Sequence, residues 1–256
     1  MIDGALLFAR YAYPPNSLGY CGPSDPASLA GALSGRDVSD LSLLAREFDG
    51  AWPYLQLIAG SNAIADPLDS RVVEAYWVGN DLIRRVPRQA MLISLDERFA
   101  RRAGSAFVNV ANAVPEGGVP HHSFHVFAVY PWLGLLRSGM RGPALDVIDR
   151  CRVRWGRVLS VDEDMAVVRT PRLAFENDRL RLTGATDVHV RRFVSQGEGE
   201  DTPKVGDLVS VHWDWICETL TPVRARRLIR YTIGNLDAVN ALSLPGPAIA
   251  ASASGG

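Results

Sequence analysis

The chain has 256 residues, 47% of them hydrophobic and 21% charged, with a formal net charge of −1. This is the composition of a globular protein long enough to bury a real core, and it excludes a disordered or fibrous chain. A charge so close to zero gives no global attraction for phosphate, which argues against a general binder of nucleic acid or of a membrane surface.

The opening segment, MIDGALLFARYAYPPN, carries no basic leader, and its apolar run is broken by Arg10 and then by Pro14-Pro15. A secretory signal peptide is not expected. No stretch reaches the roughly 18 apolar residues that a membrane span needs. Ser39 is placed to cap a helix with Leu41, Leu44 and Phe48 on one face, and Pro53 would kink it or start a second helix running to about Ile64. Ser70 is the expected cap of the next helix, in which Val72, Val73, Tyr76 and Trp77 recur at helical spacing. Arg88 to Arg102 reads as an exposed charged helix, and Phe124 to Leu136 as a buried helix bent at Pro131. Residues 1–145 are therefore predicted to form a helical domain.

Two features of this half invite a functional reading. Cys21 lies in the turn-rich run Gly19-Tyr20-Cys21-Gly22-Pro23, which either lines a site or forms a structural elbow. His121 and His125 stand four apart in Pro120-His121-His122-Ser123-Phe124-His125, so on a helix they share a face, a spacing that can bind zinc or iron. No Glu follows the first histidine as a general base. The competing reading is that these histidines cap the start of an apolar helix. The three cysteines are widely spaced and form no Cys-x-x-Cys pair, which fits a reducing cytoplasm.

The texture changes near Gly142-Pro143. Arg152 to Val161, Met165 to Thr170, Leu180 to Leu182, Val188 to Val194 and Leu208 to Trp213 read as short strands, with Asp162-Glu163-Asp164 as a polar turn. Gln196 to Thr202 is an acidic loop. Five short strands fit a small barrel, which closes its own edges. Trp213 and Trp215 are expected to share one strand face. Thr221-Pro222 is a helix start, followed by Ala225, Leu228, Ile229, Thr232, Leu236 and Val239 on one face. The predicted class is α+β: a helical domain (1–145), a β-barrel with a C-terminal helix (146–242), and a disordered tail (243–256).

Two motifs in the second half go together. The first is Cys151-Arg152-Val153-Arg154-Trp155-Gly156-Arg157-Val158. The second is Val205-Gly206-Asp207-Leu208-Val209-Ser210-Val211-His212, followed by Ile216, Leu220 and Ala225. In order and spacing this resembles the HypC/HupF family of [NiFe]-hydrogenase assembly chaperones, small OB-type barrels that open on Cys-x-x-x-Pro-Gly-Arg/Lys-Val and continue with Val-Gly-Asp-x-Val-x-Val-His. The likeness covers roughly residues 150–240. Trp155 stands where the family has Pro, Asp214 where it has Gly, and Cys151 is internal where the family's Cys follows the initiator Met.

The resemblance implies a binding and assembly protein of the cytoplasm, not an enzyme. It would transiently carry an iron fragment bearing cyanide and carbonyl ligands. Its partners would be a [NiFe]-hydrogenase large-subunit precursor or a maturation scaffold protein, with neither nucleic acid nor membrane. Cys151 is then a thiolate ligand or partner contact, and His212 a second ligand or hydrogen-bond partner. A thiolate suits low-spin iron with strong-field ligands, and Arg150, Arg152 or Arg154 is expected to lower its pKa. The alternative is a metal-dependent enzyme of the helical half, using His121, His125 and Cys21.

Overall fold

In the computed structural model, residues 2–34, 41–103, 107–130, 132–137, 139, 141–193 and 202–242 are described. The expected cap at Ser39, the bend at Pro131, most of the acidic loop and the tail from 243 lie outside these residues. The first helix, α1 (Gly4–Ser17), was not anticipated. Its N-cap Asp3 accepts from the amides of Ala5 and Leu6, and Pro14 and Pro15 occupy its last turn. Leu7, Phe8, Tyr11 and Ala12 recur at helical spacing and are buried, so α1 is an inner helix.

Helices α2 (Ala27–Leu33) and α3 (Leu41–Arg46) pack on α1, and α4 (Trp52–Ser61) has Pro53 in its first turn, as expected of a helix starting there, but ends short of Ile64. Helix α5 (Ser70–Trp77) is capped by Asp69, one residue before the expected Ser70, because the carboxylate reaches the Arg71 amide at 2.9 Å. Helix α6 (Arg88–Ala103) turns Met91, Leu95 and Phe99 inward, and α7 (Phe107–Ala113) follows. The stretch expected to be one bent helix is three pieces: a single turn α8 (His122–Phe124), a π-helical turn (His125–Val129) and α9 (Trp132–Arg137). The Tyr130 amide donates to the His125 carbonyl five residues back, 3.1 Å away, which widens the helix there. Helix α10 (Arg141–Cys151) leads into the sheet.

The sheet has five strands: β1 (Arg154–Val161), β2 (Met165–Glu176), β3 (Arg179–Arg192), β4 (Leu208–His212) and β5 (Trp215–Thr219). Pairing runs β1-β2-β3-β5-β4 and returns from β4 to β1, so the ladder closes on itself. Among the described residues, β3 and β5 are the one parallel pair. The segments expected as two short strands are the single strand β3; Thr183-Gly184-Ala185 breaks the apolar pattern, and the pairing with β2 shifts register opposite them, between Pro171 and Leu173, without ending the strand. Asn177 and Asp178, both at positive φ, make the two-residue hairpin between β2 and β3. Strand β5 was missed because Trp213 was assigned to a strand. Trp213 instead turns the chain, at φ 53, and separates β4 from β5, so it does not share a strand face with Trp215.

Val158, Ala166, Val168, Val190, Val209, Val211 and Ile216 fill the inside of the closed sheet. A second, larger core runs from α1, α4 and α5 through Cys151, Val153, Leu173 and Trp213 to the last helix, α11 (Pro222–Ala241). The expected boundary between residues 145 and 146 falls inside α10, and the helical region and sheet share that core. Helix α11 begins as predicted, with Thr221 accepting from the Arg224 amide, and buries Ala225, Leu228, Thr232, Leu236 and Val239. Among the described residues, no helix is long and apolar enough to cross a membrane.

Candidate metal centre

Cys151 is the last residue of α10, not the start of a strand, and it is buried. Its position is fixed by Asp149, two residues earlier. The Asp149 carboxylate accepts from Arg152 Nε and Nη2 (3.1 and 2.9 Å), from the Leu173 amide (2.9 Å) and from Arg172 Nε. The end of the helix is thereby tied to β2. Asp149 and Arg152 are both buried, and such a pair gains from further hydrogen bonds, here from Arg152 Nη2 to the Pro171 carbonyl at 2.6 Å, while Arg152 Nη1 has no partner.

His212 is the last residue of β4. Its Nδ1 lies 2.6 Å from the Tyr11 carbonyl oxygen. A carbonyl only accepts, so Nδ1 carries the proton and Nε2 presents a lone pair. That Nε2 is fully buried and has no hydrogen-bond partner. Tyr11 is itself held by its hydroxyl, 2.7 Å from Ser210 Oγ and donating to Glu218 at 2.6 Å.

His122, at the start of α8, meets this pair from the helical side. Its Nε2 is 2.8 Å from the Cys151 carbonyl oxygen, and its Nδ1 is 3.2 Å from the Tyr76 hydroxyl, which also lies 3.0 Å from the Gly50 carbonyl. Each ring nitrogen thus has a partner that can receive its N–H. With the proton on Nε2, Cys151 accepts. With it on Nδ1, the Tyr76 oxygen accepts while its own O–H donates to the Gly50 carbonyl. Either way one nitrogen can turn to a metal while the other stays anchored, as metal-binding histidines commonly are.

One ligand atom each from His122, Cys151 and His212 lies within 4.8 Å of the other two. They border a cavity of about 70 Å³, which Cys21, Tyr76, Trp77, His125, Tyr130 and Trp213 also line. Burial pushes the His212 imidazole down to about 4, and burial plus the neighbouring His212 holds His122 well below its ordinary value. Both rings are therefore neutral at neutral pH, the form that binds metal. The Cys151 thiol moves opposite to the sequence-based expectation. Burial raises its pKa, partly offset by the Trp213 indole N–H. The arginines expected to lower it are engaged elsewhere. Arg150 is with Asp146 and Asp214, Arg152 with Asp149, and Arg154 with the Trp213 carbonyl. A metal here must displace the thiol proton.

The trio expected from the helical half does not assemble. His121 is the N-cap of α8, in extended backbone, so it never shares a helical face with His125. Its Nδ1 accepts from the Ser123 amide at 3.1 Å, and its ring stacks on Tyr231. His125 and Cys21 do line the cavity, but neither joins the His122–Cys151–His212 group. Neither nitrogen of the buried His125 has a hydrogen-bond partner, and burial lowers its pKa to about 3; burial pushes the Cys21 thiol up to about 12. Sequence reasoning missed His122. Three histidines within five residues were the available signal, but the four-residue spacing drew attention to the outer two. One thiolate and two imidazoles suit a soft or borderline transition metal such as iron, zinc or copper, and three protein ligands leave a coordination position open.

A family model described as a family of unknown function (DUF6390) matches residues 1–245. No curated protein and no solved structure matches the chain.

Proposed function

The chain belongs to the DUF6390 family, and we propose that it is an accessory protein of [NiFe]-hydrogenase maturation built on a HypC/HupF-like, OB-type barrel. Cys151 and His212 hold an iron fragment as cargo, and a large-subunit precursor or maturation scaffold is the partner. The protein works in the cytoplasm, where a thiol ligand stays reduced. The observation that carries the reading is the convergence of Cys151 with His212, whose buried Nε2 has no partner, beside a cavity.

Other motif positions support it. A Cβ on Gly156 would lie 2.3 Å from Val168 Cγ1 and 2.8 Å from the Arg169 carbonyl oxygen, so this strand position needs glycine. Gly206 turns the chain at φ 95, and the Asp207 carboxylate closes that turn by accepting from the Lys204 amide at 2.8 Å. Val209 and Val211 fill the closed sheet and deliver His212 at its end. The internal, buried Cys151 departs from a thiol on a free chain end. The alternative, a metal-dependent enzyme built on His121, His125 and Cys21, lacks its first ligand at the cavity, which His125 and Cys21 line and His121 does not.

The test is co-purification. From hydrogenase-expressing cells, the affinity-tagged chain should retain a large-subunit precursor or scaffold protein, and Cys151→Ala should weaken that retention. Recovery of neither partner would overturn the assignment.

A further inference from the structure

We propose that His122 is a third metal ligand, so that a transition-metal dication bound by His122, Cys151 and His212 ties the helical region to the closed sheet, with its fourth position facing the cavity. The inference rests on the Cys151–His212 pair of the preceding reading but not on any hydrogenase partner.

His122 lies outside the stretch that carries the family resemblance, in a segment where the sequence suggested only a helix cap. Yet its ring makes edge-on contact with the His212 ring, with centroids 5.0 Å apart, and its Nε2 reaches the Cys151 backbone. Ligand atoms around a tetrahedral dication sit roughly 3.5 Å apart, given metal–ligand bonds of about 2.0–2.3 Å. The three atoms, within 4.8 Å of one another, need to close by little more than an ångström. Both imidazoles already have backbone carbonyls as N–H acceptors, Cys151 for His122 and Tyr11 for His212. The unpartnered Nε2 of His212 is the independent sign that a ligand belongs there. A buried lone pair without a donor is costly unless something binds it.

The three residues come from three places. His122 belongs to α8, Cys151 to the end of α10 and His212 to the end of β4. A metal bound by all three joins the two parts of the molecule whose separation would expose the cavity. The fourth position opens on a cavity whose lining includes Phe48, Trp77, Tyr130 and Trp213, with His125 and Cys21 as further polar groups. Small ligands such as water, cyanide or carbon monoxide suit a cavity of about 70 Å³.

Cobalt(II) titration of the purified full-length chain tests this, because cobalt reports its own ligands. The wild type should bind one Co²⁺ per chain, with the visible bands of a four-coordinate ion, a near-ultraviolet thiolate-to-cobalt charge-transfer band, and a rise in Tm. Cys151→Ala should remove the charge-transfer band. His122→Gln, which can still donate to the Cys151 carbonyl, should weaken binding at least tenfold and shrink the Tm rise. His189→Ala, at an exposed histidine of β3, should leave the affinity unchanged. Wild-type affinity and visible bands in His122→Gln would overturn the role of His122 alone, leaving the Cys151–His212 pair. Absence of a charge-transfer band in the wild type would overturn the centre itself. Cobalt binding with this ligand dependence, together with a failed co-purification, would sustain the metal centre and reject the hydrogenase assignment.

Discussion

The Nε2 of His122 lies 2.8 Å from the backbone carbonyl oxygen of Cys151, joining the first turn of α8 to the last residue of α10. The contact fixes the imidazole beside the thiol and caps a carbonyl that would otherwise be buried near the end of a helix. His122→Ala is expected to lower stability by about 1–3 kcal/mol, the cost of leaving a buried polar group unsatisfied. Urea denaturation measures it, and a change below about 0.5 kcal/mol would show that the carbonyl finds another partner.

The buried histidines make stability depend on pH. His121 and His125 are lowered from 6.5 to about 3, in both cases chiefly by burial. When the folded pKa is depressed, the unfolded chain takes up the proton first as pH falls. The contribution is therefore complete above about 6.5 and is lost between there and about 3, at about 1.4 kcal/mol per pH unit for each ring. Urea midpoints should fall steeply from pH 6 to pH 4, and His125→Phe should reduce the slope. Midpoints that stay level over this window would contradict the neutral buried state.

Gly156 links the sequence motif to the packing. The adjacent strand β2 approaches so closely that Gly156→Ala would force a Cβ against Val168 and the Arg169 carbonyl. The expected loss is about 1–3 kcal/mol, as for other overpacked interiors, read as a lower Tm in calorimetry. An unchanged Tm would mean that β1 and β2 can separate there without cost.

The glycine also illustrates what the sequence made legible. The two motifs of the second half are local: a Gly that strand contact demands, a Gly-Asp turn and alternating valines. Cys151 and His212 were paired because those motifs, in their order and spacing, resemble the HypC/HupF family, which implies the pair. The Thr221-Pro222 helix start was legible because it too is local. His122 was not, because what makes it a ligand candidate is the packing of α8 against α10 and β4, contacts distant in sequence. The raised thiol pKa was hidden likewise. Arginines adjacent in sequence suggested a positive field, but Asp149, Asp146 and Asp214 draw them away. The β4–β5 turn was obscured because Trp213 occupies a left-handed position that usually selects glycine.

Asp149 is expected to be the most sensitive structural position near the centre. It is buried and accepts from Arg152, Arg172 and the Leu173 amide, and Arg152 is buried with it. Asp149→Ala leaves a buried guanidinium without its counter-charge and should cost about 3–5 kcal/mol. Chemical denaturation should give a smaller loss for Asp149→Asn, which can still accept hydrogen bonds. A loss below about 1 kcal/mol for the alanine variant would mean that water or another carboxylate reaches Arg152.

The most direct measurement of the central claim is the infrared spectrum of the affinity-purified protein from hydrogenase-expressing cells, taken with iron analysis of the same sample. Iron together with cyanide and carbonyl stretching bands, absent from Cys151→Ala and His212→Ala samples purified in parallel, is the predicted result. A wild-type sample without such bands, or one whose bands survive both substitutions, would contradict the account.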